Sequence, residues 1–207
     1  MNEGFIACWF VTMLLILYAT GWKQQVADGV SGRALTIFVI AVLILHNIKI
    51  PIGTTTDYVQ GSVLAAVGAA ILSLVSIRQA GQFVYLTLCS LFTGVIWMWV
   101  HVMYRADPVF VGIHPLWDGP LIAGLMAGIL AERFRHQFAL IVASALISQL
   151  LDIIRPPGGM LIIGSLGWWD GFAIALLAAR IVSLVRCFIR SLLQKGNSRF
   201  TQRGGSS

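Results

Sequence analysis

The chain has 207 residues, of which 58% are hydrophobic and only 11% charged, with a formal net charge of +6. A soluble globular domain carries about 25% charged residues, so this composition excludes one, and the strongly positive mean hydropathy indicates a bilayer as solvent. Each transmembrane helix takes roughly 20 apolar residues, which leaves room for six or seven spans and no separate soluble domain.

Apolar runs bounded by charges and breakers predict seven spans at 5–22, 33–50, 59–77, 82–104, 118–131, 137–154 and 167–189. The first follows Met1, Asn2, Glu3 and Gly4 with no basic stretch ahead of it and no cleavage site behind it, and reads as a retained helix rather than a signal peptide. Only the fifth run, from Gly119 and Pro120 to Ala131, is short, so that span tilts, thins the bilayer locally or sits partly in the interface. Runs this long and continuous do not alternate as barrel strands do, and open sheet edges have no place in hydrocarbon. The predicted fold is therefore all-α: a polytopic membrane helix bundle occupying 1–193, followed by a basic, disordered tail at 194–207.

The positive-inside rule orients the bundle. With the N-terminus outside, Lys23, Arg33, Arg78, Arg133, Arg135, Arg186, Arg190, Lys195, Arg199 and Arg203 are cytoplasmic, while Lys49, Arg105 and Arg155 are external. Seven crossings give this asymmetry, and an even number would destroy it. Trp22, Trp97, Trp99, Tyr104, Trp117, Trp168 and Trp169 fall near span ends, where amphipathic rings sit at the headgroups. The basic residues lie in short loops and the tail, which fits a bacterial plasma membrane, with anionic lipid under the tail, better than nucleic acid. Cys8, Cys89 and Cys187 lie inside apolar runs with no ligand or redox spacing.

Small residues recur at helix-packing spacing: Gly61, Ala65 and Ala69 on span three, and Gly124 with Gly128 on span five. They serve packing within the chain or, alternatively, a homodimer face. His101, Arg105, Asp107, His114, Asp118, Asp152, Arg155 and Asp170 all map to the outer ends of spans four to seven. His101 and Arg105, four apart, share a helix face. Two readings stand for this cluster. Arg105 or Arg155 pairs with Asp118, Asp152 or Asp170 in interhelical salt bridges. Otherwise the groups line an outward-facing ligand pocket, with the arginines as anion-binding groups and His101 or His114 titrating. Arg180 lies inside the last run with no acidic residue one turn away, and its expected course is to snorkel towards the cytoplasmic headgroups. His46, Asn47 and Lys49 close span two at the interface.

No GxSxG, HExxH, P-loop or dinucleotide fingerprint is present, and no metal or cofactor is expected. The chain opens on Glu3-Gly4-Phe5-Ile6-Ala7-Cys8-Trp9-Phe10 and carries Tyr104-Arg105-Ala106-Asp107-Pro108-Val109 after span four. In these segments, and in its whole-chain pattern, it resembles the YphA-like family of small membrane proteins of endospore-forming Bacilli. That resemblance implies a role in spore envelope assembly and transfers no active-site residue. The expected function is non-enzymatic support of envelope assembly. The alternatives are a carrier or flippase for a small or lipid-linked anionic substrate, and a membrane-embedded enzyme built on His101, His114 and Asp118.

Overall fold

The structure, a computed structural model, describes residues 2–203 except 23, 25, 26, 53–56, 78, 108, 110 and 151–161. Among these residues, seven helices of 13 or more residues carry the fold: α1 (Phe5–Ala19), α2 (Gly32–Leu45), α3 (Gly61–Val75), α4 (Ala80–Ala106), α5 (Asp118–Leu130), α6 (Phe134–Ser148) and α7 (Leu166–Arg203). The end of the bundle at which α1 begins is termed the upper end.

Every expected span overlaps one of these helices, but their bounds and lengths differ from expectation. Among the described residues, α4, over 27 residues, and α7, over its Leu166–Ser191 part, are the helices long and apolar enough to cross a membrane by length and composition. The fifth is not alone in being short, since α1, α2, α3 and α6 have 15, 14, 15 and 15 residues. At 1.5 Å per residue these cover about 22 Å. The shortening has local causes. The chain leaves α1 through Gly21 in a left-handed conformation (φ 97°), a frequent helix stop. The end of the second run and the start of the third are strand rather than helix.

Those strands are an element that the hydropathy pattern did not contain. β1 (Lys49–Pro51) pairs antiparallel with β2 (Tyr58–Gln60), and β2 pairs in parallel with β3 (Ile162–Ile163), giving the order β1-β2-β3 at the upper end. The exclusion of open sheet edges holds only within hydrocarbon, and this small sheet lies on the connections between helices. A second correction concerns the tail. The last helix continues to Arg203, past the expected disorder boundary at 194. No proline follows Pro157, and extending an existing helix costs far less than nucleating one.

α6 is the central helix. Past its polar first turn (Arg135, His136, Gln137) it is almost wholly buried, and Leu140, Ile141 and Ala145 are fully buried. Neighbouring helices close on it through small residues and hydroxyls. A Cβ at Gly94 of α4 would lie 2.7 Å from the Ile147 side chain, and Ser144 Oγ donates to the Ser90 carbonyl of α4 at 3.1 Å. α5 lies against α7 at the closest backbone approach. A Cβ at Gly124 would stand 2.2 Å from the Ala175 carbonyl oxygen, and one at Gly128 2.6 Å from Val182. On α3 the fully buried small residues are Ser62 and Ala66. They lie one position beyond the Gly61 and Ala65 of the expected stripe, so the packed face is rotated by about 100°. Gly61 instead abuts the end of α2, where its Cβ would meet the Leu45 carbonyl at 2.7 Å, and Ala65 and Ala69 line a groove facing α1 and α2.

Candidate functional site: two polar clusters at opposite ends of the bundle

Asp118, the first residue of α5, is 7% exposed. The preceding loop folds over it, and its carboxylate accepts the backbone N–H groups of Gly112 (2.9 Å), Ile113 (3.0 Å) and His114 (3.3 Å). Tyr104 Oη, from the last turn of α4, donates to it at 2.8 Å. A carboxylate offers about four acceptor positions; Oδ2 takes Tyr104, Gly112 and Ile113, and Oδ1 takes His114 with a share of the Ile113 N–H at 3.2 Å. Gly112 permits the approach, because a Cβ there would lie 3.3 Å from Asp118 Oδ2.

Around this centre the structure brings together three of the expected residues. His101 is half-buried with its ring edge-on to Trp97, 6.4 Å between centroids. A Cβ at Gly119 would lie 2.7 Å from the Trp97 ring and 3.5 Å from His101 Nε2, so both rings pack against the start of α5. His114 stacks on Trp117 at 4.8 Å, and its Nδ1 accepts the Leu116 N–H at 3.2 Å. Arg105 is exposed on the last turn of α4.

Asp170 does not join this group. Its two oxygens accept the N–H of Gly4 (2.7 Å) and of Ala7 (2.8 Å) at the start of α1, donors that the helix itself cannot satisfy. Gly4 is left-handed (φ 85°) and has no side chain to cap with, so the cap comes from α7. Among the described residues, Asp118 accepts a tyrosine hydroxyl and backbone N–H groups, and Asp170 accepts backbone N–H groups. Asp152 and Arg155 lie outside the described residues. A third upper-end contact joins α2, α3 and α7. Trp169 Nε1 donates to Ser62 Oγ at 3.2 Å, and His46 Nδ1 lies 3.4 Å from the same hydroxyl.

The lower end holds a cluster that sequence reasoning did not assemble. Arg180 does not snorkel. It is 9% exposed, and its guanidinium meets Asp28 of the α1–α2 connection through Nη2–Oδ1 (3.0 Å) and Nη1–Oδ2 (3.3 Å). Its Nη1 also reaches Gln137 Oε1 at 3.4 Å, and its Cζ stands 5.6 Å from the centre of the Phe134 ring. The same Asp28 accepts the N–H of Phe134, the first residue of α6. Gln137, fully buried, donates to the Ala131 carbonyl (2.8 Å) and to Ser183 Oγ (2.5 Å). A charge is strongly disfavoured in hydrocarbon unless it is paired, and Asp28 is the partner that the sequence concealed.

Beside it, Arg186 Nη1 donates to the Gly128 (2.9 Å) and Ile129 (2.8 Å) carbonyls at the end of α5. Tyr85 Oη donates to the next carbonyl, Leu130, at 3.1 Å. Glu132, in the α5–α6 turn, receives Arg190 Nη2 at 2.7 Å and Arg186 Nη2 at 3.1 Å. The hydrogen bond from Arg190 and the charges of Arg190 and Arg186 hold its carboxyl below the usual glutamate range. A cavity of about 560 Å³, bordered by Asp28, Glu132, Arg180, Ser183, Arg186 and Arg190, opens among these groups.

A bundle of apolar helices whose ionisable groups are engaged on helix ends and on one another is the design of an integral membrane protein. The family model described as YphA-like integral membrane protein matches residues 3–204, and the chain belongs to that family. Comparison with curated proteins and with solved structures gives no match.

Proposed function

We propose that this is a non-catalytic, multi-pass protein of the bacterial plasma membrane that supports cell-envelope or spore-envelope assembly. It crosses seven times, with its N-terminus outside and its C-terminus in the cytoplasm. The observation that carries the non-catalytic reading is the saturation of Asp118. With Tyr104 Oη and three N–H groups on its two oxygens, it has no acceptor position left for a substrate proton or a cation. The upper cluster then acts as a clasp between α4, the following loop and α5. Seven crossings and the orientation are supported by the placement of ten basic residues on one side against three on the other. The short helices reach the interfaces with their flanking residues or by local thinning. Residues 1–193 form the membrane domain, and the basic segment 194–207 rests on anionic lipid. Gly124 and Gly128 face α7 of the same chain, which favours internal packing over a homodimer face for that pair.

The test is replacement of His101 and His114 by Ala in a deletion strain with an envelope defect. Complementation at normal protein level is the expected result. Loss of complementation by a folded, normally abundant variant would falsify the non-catalytic reading. Reporter fusions after residues 22 and 104 would fix the orientation independently. A carrier for an anionic substrate is the second reading, favoured by the arginine-bordered cavity of about 560 Å³. It predicts solute uptake or release by reconstituted vesicles that Arg180→Gln abolishes.

A further inference from the structure

A second cavity, of about 730 Å³, runs along the bundle between α1, α2 and α3, and it is independent of the clasp on which the reading above rests. α1 is secured to α7 at its upper end through Asp170 and to α2 at its lower end. There Tyr18 Oη donates to the Val30 carbonyl at 3.3 Å and abuts Gly32, where a Cβ would lie 2.9 Å from that oxygen. Between these two fastenings the helices leave a groove, with the buried rings of Phe138, Trp169 and Phe172 among its lining. Gly68 lies on the groove, and a Cβ there would meet nothing within 4 Å.

The lining is apolar from its upper end, at Ala7, Leu45 and Leu64, to its lower end. There Ser73, Ser76 and Arg135 lie, and Arg135 is the one charged residue among the described lining. Ser73 and Ser76 return their hydroxyls to their own helix. Arg135 is exposed on the first turn of α6, and none of the ion pairs among the described residues includes it. Length, volume and charge therefore describe a slot for an amphiphile with an anionic head at the lower interface. The volume falls within the roughly 300–1,000 Å³ of small-molecule sites. α1 and α3 cover about 22 Å, which exceeds the ~15 Å depth of one leaflet's hydrocarbon.

We propose that this groove binds one anionic phospholipid of the lower leaflet, one of its two acyl chains lying past Gly68 onto the aromatic residues and its phosphate on the Arg135 guanidinium. A phosphate oxygen pair suits the planar fork of arginine, and a zwitterionic lipid would bring its own cation to the same place.

The experiment is native mass spectrometry of the full chain in mild detergent, offered phosphatidylglycerol and phosphatidylcholine at equal concentration. The expected result is one retained phosphatidylglycerol per chain, at least fivefold over phosphatidylcholine. Arg135→Gln should reduce that preference to near unity, and Arg135→Lys should keep most of it. Arg133→Gln, an exposed arginine off the groove, should leave it unchanged. Gly68→Leu starts from a Cβ that meets nothing within 4 Å and puts a side chain into the groove, and should lower retention of both lipids several-fold while the melting temperature holds. Equal retention of the two lipids by the wild type overturns the proposal. So does an unchanged preference in Arg135→Gln, or an equal loss in Arg133→Gln, which would mark a diffuse basic rim. Undiminished retention in Gly68→Leu places the lipid elsewhere and overturns it as well.

Discussion

At the upper end of the bundle, Asp118 and Asp170 collect N–H groups: three from the 112–114 loop and two from the first turn of α1. At the lower end, Arg186 supplies N–H donors to the last carbonyls of α5, and Asp28 and Glu132 bind arginines. Both ends answer one requirement, that helix termini carry orphan donors or acceptors which lipid cannot satisfy. They differ in what remains when one member is removed. At the upper end a deleted carboxylate leaves neutral N–H groups, whereas at the lower end a deleted partner leaves a full charge. The lower end should therefore be the more sensitive to truncation, and the upper end the more tolerant.

The largest effect is expected from Asp28→Ala. It strands the guanidinium of Arg180, which is 9% exposed, and leaving a buried charge without its partner costs about 3 kcal/mol, read as a lowered melting temperature in detergent. The double variant Asp28→Asn with Arg180→Met removes both charges and should recover much of that loss. If the double variant is as unstable as the single one, the charge explanation fails. Next comes Asp118→Ala, which releases Tyr104 and three N–H groups at once, for about 2 kcal/mol. Tyr104→Phe alone should cost about 1 kcal/mol. Asp170→Ala removes the cap of α1 and should cost about 1 kcal/mol, with hydrogen exchange rising at residues 4–8 and nowhere at the lower end. Faster exchange throughout α1 would show that the cap holds the whole helix.

The smallest effect belongs to Glu132, whose pairs are exposed and so contribute little. Its folded-state pKa is depressed. Its contribution is therefore present above the ordinary glutamate value and lost as pH falls through the lowered one. In Glu132→Gln the melting temperature should be lower at neutral pH, and the difference from wild type should vanish in acid. A difference that persists at low pH would assign the effect to packing.

What the sequence made legible follows from range. Seven apolar runs are local patterns, and each overlaps a helix. Arg180 stood out as an anomaly because a single charge in an apolar run is a local fact. Its partner was hidden because Asp28 lies 152 positions away, in a turn that reads as ordinary surface loop. The same holds for Asp170, which accepts N–H groups of Gly4 and Ala7, 166 and 163 positions away in the chain. His101, His114 and Asp118 could be grouped from sequence because α4, its loop and α5 are consecutive. Tyr104 was read as an interfacial ring, since nothing in its spacing marks it as the donor to Asp118. The strands escaped because runs of two or three residues leave no period to detect.

The cap on α1 has a consequence for how the molecule is made. Synthesis proceeds from the N-terminus, so α1 leaves the ribosome long before Asp170 exists. Its Gly4 and Ala7 N–H groups must stay with water or headgroups during that interval. A chain truncated before Asp170 would hold its first helix by the Tyr18–Val30 contact, with the upper end of that helix uncapped.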